Sequence, residues 1–361
     1  MDVSPLNYKL TFEPDLKKFT FAGLESISIN CKKSVNAITM NCAELKIKSC
    51  IVKSGKKIIK SYPKTNEKKE ELQIKLAEKI RGLCTVDLEF EGILNDRLLG
   101  FYRSRYEQNG KTKYLATTQF EAADARRAFP CWDEPEAKAT FEISIIADNQ
   151  FTAISNMPVK TKKKTGKTTL YNFQKTPLVS TYLIYLGVGE FEYLSGKAGK
   201  IQIRVVTTKG NTSKGKFSLE LGKKLLTSYE KYFGIKFPLP KLDLIAVPDF
   251  AAGAMENWGA ITFRETILLY DPKTSSTRTK QFIAEVISHE IAHMWFGNLV
   301  TMKWWNDLWL NESFATFMAT KFVDKFYPEW DLWNQFVEDA MNVAMGLDSL
   351  KTTHPIDVKV N

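Results

Sequence analysis

The hydrophobic period changes once along this chain, and that change limits what it can fold into. Between about residues 7 and 206, short segments alternate apolar and polar side chains. Examples are Tyr8-Lys9-Leu10-Thr11-Phe12, Ser26-Ile27-Ser28-Ile29, Leu72-Gln73-Ile74-Lys75-Leu76 and Ile201-Gln202-Ile203-Arg204-Val205. Clusters of Gly, Asn, Asp and Lys separate them, the pattern of strands joined by turns. Near Ser213 the period lengthens, and Phe217, Leu219, Leu221, Leu225, Leu226 and Tyr229 fit a helix that Gly234 stops. The same reasoning predicts strands over 242–247 and 260–270 around a loop at 248–258, then helices over 281–295, 310–326 and 331–345. The expectation is a multi-domain α+β chain, with an antiparallel all-β domain over 1–195 and a mixed α/β domain over 196–361. A length of 361 residues and 44% hydrophobic content suffice for two cores.

Charge and cysteine usage narrow the function classes. The formal net charge of +10 invites a nucleic-acid partner. Its densest run, Lys160-Thr161-Lys162-Lys163-Lys164-Thr165-Gly166-Lys167, lies between strand-like segments without interleaved aromatics. It reads as a solvated hairpin tip that protects a sheet edge, so no nucleic-acid partner is expected. Five cysteines, Cys31, Cys42, Cys50, Cys84 and Cys131, show no paired metal spacing and read as reduced core residues. No 18-residue apolar run and no basic-then-apolar leader layout occur in the sequence, so the expectation is a cytoplasmic protein without a membrane partner. Oligomeric state is not legible.

Two of the three histidines stand in Ser288-His289-Glu290-Ile291-Ala292-His293, an H-E-x-x-H motif. Helical positions i and i+4 share a face, so both imidazoles can reach one ion. Chance would produce this arrangement about 0.003 times in such a composition, too rarely to be an accident. Glu290 follows the first histidine and can act as a general base without ligating the metal. A catalytic zinc site takes a third protein ligand. The candidate is Glu312, separated from His293 by eighteen residues, enough for a loop and a return helix. A glutamate near a helix start also suits the helix dipole alone, and spacing does not decide between the two. Trp304, Trp305 and Trp309 between them are expected to wedge the two helices apart. The chemistry such a site implies is metal-assisted hydrolysis of an acyl bond.

A second motif, Gly253-Ala254-Met255-Glu256-Asn257, precedes the histidines, and a third, Thr118-Gln119-Phe120-Glu121, is followed by Ala128-Phe129-Pro130-Cys131-Trp132-Asp133-Glu134-Pro135. Together, in this order, they resemble the M1 family of gluzincin aminopeptidases, of the tricorn-interacting-factor and aminopeptidase N type, over essentially the whole chain. The resemblance implies a saddle-like N-terminal β domain and a thermolysin-like catalytic domain holding one Zn2+ on His289, His293 and Glu312. It implies hydrolysis of the N-terminal peptide bond by a metal-activated water, with Glu290 as general base. Peptides with a free N-terminus would be the partners. Glu121 and Glu256 would bind the substrate ammonium, Gly253 and Ala254 the substrate backbone, and Gln119 and Met255 the first side chain. A carboxylate pair discriminates an ammonium from a blocked, neutral N-terminus, which fits that role. Taken singly, Gly253 also suits a turn, Met255 a core, Glu256 a solvated loop, and Glu121 an ion pair with Arg126 or Arg127.

The chain also departs from the family. Its members carry an oxyanion-binding tyrosine some sixty residues beyond the third ligand, whereas this sequence runs only 49 residues past Glu312. Tyr327, in a Phe-Tyr-Pro-Glu helix terminus, is not assigned that role. Leu332, Phe336 and Met341 are expected to expose an apolar face. The expectation is a fragment, incomplete at its C-terminus, that binds zinc but hydrolyses slowly or not at all. The alternatives are a non-catalytic zinc-binding module and a thermolysin-like endopeptidase.

Overall fold

A computed structural model describes residues 1–360. The chain folds as two compact units, Met1–Phe191 with Pro248–Ala251, and Glu192–Val247 with the chain from Ala252 onward.

In the first unit, alternation becomes register. The strand Thr20–Asn41 buries Phe21, Ile27, Ile29 and Cys31 on one face. It pairs antiparallel with Val3–Asp15 on one side and with Glu71–Ile93 on the other, so that Ile27 lies opposite both Tyr8 and Val86. Phe12, Phe21, Phe90, Phe101, Phe129 and Phe141 meet edge-on or tilted in the core, and Tyr8 stacks on Phe141 at 4.7 Å. These strands belong to a nine-stranded sheet, accompanied by a four-stranded one. The pairing is not wholly antiparallel. Val3–Asp15 runs parallel to Thr140–Asp148, with Tyr8 opposite Phe141. That pair joins segments far apart in sequence, which no hairpin constrains to run antiparallel. The lysine run is itself the edge strand Val159–Thr165, exposed throughout and turned back at Gly166. In the four-stranded sheet, Gly100–Gln108 pairs with Lys111–Gln119, which ends on Gln119. All five cysteines are free, and all but Cys50 are buried.

The second unit holds a five-stranded sheet ordered Phe191–Ala198, Ile201–Thr208, Lys241–Val247, Ala260–Arg264 and Ala254–Met255. The three middle strands are parallel. Helix α1, Lys216–Phe233, ends on Gly234 in the left-handed region. The strand predicted over 260–270 stops at Arg264, and a short 3-10 turn, Glu265–Ile267, follows. Helix α2, Thr277–His293, starts earlier than predicted because Ser276 caps it, accepting from the Thr279 N–H at 3.1 Å. Helix α3 spans Leu308–Phe326.

The tryptophan wedge is not found. Trp309 is 40% exposed, since it lies on the outer side of α3, and only Trp305 is buried. Phe296, just beyond α2, packs on Phe314 of α3 instead, with centroids 3.8 Å apart, and Tyr229 of α1 packs on Phe322 of α3. Tyr229 of α1 also bonds through its hydroxyl to the Ser288 carbonyl and hydroxyl, one residue before His289. Beyond α3, Leu332 is buried rather than exposed, because Trp330 and the turn at Pro328 fold it back and its N–H donates to Asp324. Val337, Met341, Val343 and Met345 are exposed.

Candidate metal centre

Helix α2 presents His289 and His293 on one face, with their Nε2 atoms 2.9 Å apart. From α3, Glu312 places Oε2 at 3.2 Å from His289 Nε2 and Oε1 at 3.6 Å from His293 Nε2. Tetrahedral ligation at bond lengths of about 2.0–2.1 Å separates neighbouring ligand atoms by roughly 3.3 Å, so these three donors fit one ion. The imidazoles are also held from behind. His293 Nδ1 lies 2.9 Å from the Phe296 carbonyl, and His289 Nδ1 lies 3.3 Å from Thr316 Oγ1. With Nδ1–H of His293 donating to that carbonyl, its Nε2 carries a lone pair aimed at the point where the donors meet.

Burial, reinforced by the neighbouring His289, pushes His293 down to about 4, so it is neutral near pH 7. Burial acts upward on Glu312, but the hydrogen bond from His289 and the charges of the histidines outweigh it and keep the carboxyl below its usual range. A neutral imidazole and an ionised carboxylate are the forms a metal requires.

Glu290 follows His289 on α2, about 100° further round the helix, and is buried. Ala254–Met255 pairs with Thr262 and Phe263 and forms the edge of the five-stranded sheet. The next residue, Glu256, is buried, and one of its carboxylate oxygens lies within 4.8 Å of one from Glu312. Met255 is 1% exposed, a core-like burial. Gly253 does not occupy a left-handed conformation; its carbonyl accepts from Arg264 N–H, and a Cβ there would lie 3.3 Å from Ile267. The second unit thus gathers the three ligand candidates, Glu290 and the 253–256 stretch.

Gln119 and Glu121 belong to the first unit. Gln119 is buried at its strand end, with Oε1 lacking a hydrogen-bond partner among the described residues. Glu121 is half-buried. Arg126 bonds to Asp133 and Glu70, and Arg127 to Asp124, Glu44 and Glu70. Sequence reasoning missed Thr316 and also Asn298, which is buried and donates through Nδ2 to the Glu256 carbonyl at 2.8 Å. Thr316 was findable, since it stands four residues after Glu312 on the same helical face. Asn298 gave no periodic signal.

Two family models match. Residues 4–183 match the peptidase M1 N-terminal domain, and residues 217–361 match the peptidase family M1 domain. The chain belongs to peptidase family M1. Among its M1 relatives, it is 44% identical over 364 residues to Aminopeptidase M1 of Arabidopsis thaliana, covering 99% of this chain and 41% of that protein. It is 44% identical to Aminopeptidase 2, mitochondrial, of Saccharomyces cerevisiae and to the Puromycin-sensitive aminopeptidase of Caenorhabditis elegans. Each of those alignments covers 99% of this chain and 38% of the relative. This M1 chain therefore spans about two fifths of the length of the curated relatives it matches. No described helix in it is long and apolar enough to cross a membrane.

Proposed function

We propose that this chain carries the hydrolytic centre of a zinc aminopeptidase acting on peptides with a free N-terminus. The observation that carries the proposal is the convergence of His289, His293 and Glu312 donors beside the buried carboxylate of Glu256. One zinc ion per chain, when bound by those three residues, would polarise the scissile carbonyl and acidify water. Glu290 would accept a proton from the attacking water and return it to the leaving amine. Glu256 would accept hydrogen bonds from the substrate ammonium, and the sheet edge at Ala254–Met255 suits a substrate backbone laid down as a further strand. Gly253 would admit that backbone closely. Met255, Gln119 and Glu121 keep the roles that the resemblance implies for them. An endopeptidase reading gives Glu256 no task, since internal peptide bonds offer no ammonium. Five free cysteines suit a reducing compartment, and we place the protein in the cytoplasm.

The test is release of a fluorescent amine from alanyl and leucyl substrates, free and N-acetylated, by the zinc-loaded chain. Slow cleavage of the free forms only, abolished by a chelator and by Glu290→Gln, is the expected result, and one bound zinc without cleavage would bear out the fragment reading. Equal cleavage of acetylated substrates, or activity that survives Glu290→Gln, would refute the mechanism.

A further inference from the structure

The stretch that carries Glu256 and the turn that closes α2 meet at one side chain. Asn298 is fully buried. Its main-chain N–H donates to the carbonyl of His293 at 3.1 Å, and its Nδ2 donates to the carbonyl of Glu256 at 2.8 Å. The same Nδ2 meets Met294 Sδ at 3.8 Å. The turn itself is well fixed. Gly297 N–H donates to Val300 O at 2.7 Å, and Thr301 Oγ1 donates to Asn298 O at 3.1 Å. Gly297 adopts φ +125°, and a Cβ there would come within 3.2 Å of His293 Nδ1, so glycine is required.

The 253–259 stretch is anchored at both ends within its own sheet. Gly253 O accepts from Arg264 N–H, and Gly259 O accepts from Asp243 N–H and from Lys241 Nζ. Midway between those anchors, the peptide of Glu256 is tied to the metal helix through Asn298. The side chain therefore links a candidate ligand to the candidate amine anchor through two hydrogen bonds on a single residue.

We infer that Asn298 is a positioning residue that sets the distance between the amine-binding carboxylate of Glu256 and the metal ligand His293. The inference rests on the aminopeptidase reading proposed above. In an exopeptidase that distance chooses the bond to be cut, because the ammonium and the scissile carbonyl belong to one residue, two bonds apart, while the next peptide unit lies about 3.8 Å further along the chain, Cα to Cα. A displacement of about 1 Å in such a constellation is worth roughly 100-fold. Alanine at 298 would leave the Glu256 carbonyl without this buried donor. Aspartate would face that carbonyl with an oxygen, acceptor against acceptor.

The test compares leucine hydroxamate with its des-amino analogue, 4-methylpentanohydroxamate, by calorimetry on the zinc-loaded chain. Zinc stoichiometry and thermal midpoint are measured alongside. The wild-type chain is expected to bind the amine-bearing compound more tightly. In Asn298→Ala and in the isosteric Asn298→Asp that preference falls by about tenfold or more, the usual scale for a lost positioning partner. Affinity for the des-amino compound and bound zinc stay as in wild type. Two variants of different volume guard against one failing to fold. In a Glu256→Gln background, where the preference is already gone, Asn298→Ala has no further effect. Wild-type preference in both Asn298 variants overturns the inference. An equal loss for both hydroxamates, or loss of zinc, also overturns it, by showing a merely structural role. Equal binding of the two compounds by wild type refutes the amine site itself, a failure distinguishable from the others.

Discussion

At the scale of single residues, the candidate metal centre depends on what stands behind each imidazole. A ring nitrogen can face a metal squarely only if its other nitrogen is engaged. Here the Phe296 carbonyl engages His293, and the Thr316 hydroxyl engages His289. The first of these is main chain and cannot be removed by substitution; the second can. Thr316→Val keeps the shape of the side chain and deletes the partner of His289 Nδ1. The expected result is zinc affinity weakened about 10–100-fold, read by competition with a chromophoric chelator. Unchanged affinity would mean that the Thr316 contact does not orient the ring. Glu312 and Thr316 stand four residues apart on α3, so one helical face carries both the candidate ligand and the hydroxyl behind His289.

At the scale of elements, the strand Lys241–Val247 is buried along its whole length, as expected for the centre of a parallel sheet. Yet it carries Lys241 and Asp243. Asp243 is fully buried and accepts both nitrogens of a bidentate Arg204 at 2.6 Å, from the opposite position of the neighbouring strand. Lys241 Nζ donates to the same carboxylate at 2.7 Å and to Gly259 O at the end of the 253–259 stretch. A carboxylate shared by two cations is costly to neutralise. Asp243→Asn is expected to destabilise the second unit by about 3–5 kcal/mol. Seven of the eight tryptophans lie beyond residue 252, so denaturant unfolding followed by tryptophan fluorescence reports on this unit. A midpoint within error of wild type would show that the carboxylate is dispensable.

At the scale of the whole molecule, the first unit contains a pH liability of its own. Glu25 points to the core face of Thr20–Asn41, 4% exposed, and neither carboxylate oxygen has a hydrogen-bond partner among the described residues. Burial pushes its carboxyl well above the ordinary range. The ionisable groups that feel its charge, Tyr8, Cys42 and Cys131, are themselves pushed up chiefly by burial, and none of them can carry a positive charge. The sign follows from linkage. With the folded pKa raised, the folded chain holds a proton that the unfolded chain has released above about pH 4.3. The protonated carboxyl's contribution to stability is therefore complete below that pH and is lost as pH climbs toward the folded value. Glu25→Gln, which cannot ionise, is expected to flatten the decline in thermal midpoint on going from mildly acidic to alkaline pH. Far-UV circular dichroism melts across that range measure it, and parallel declines in the two proteins would exclude Glu25 as the cause.

The sequence by itself determined what is local. Alternation over one segment dictates which side chains share a strand face, so the buried run of Thr20–Asn41 and the exposed lysine edge at Val159–Thr165 were both legible. The i, i+4 spacing of His289 and His293 on a helix placed two imidazoles on one face, whereas spacing left Glu312 open between a ligand and a helix-dipole residue, and only the family resemblance singled it out. Tertiary structure decided what depends on closing long loops. Val3–Asp15 running parallel to Thr140–Asp148, Pro248–Ala251 clustering with the first unit, and Phe296 rather than a tryptophan packing on Phe314 leave no trace in local period. Buried polar residues were the hardest to read. Asp243, Glu25 and Asn298 interrupt apolar patterns, and only the partner brought up by a distant segment, or its absence, separates an ion pair, a suppressed charge and a tether.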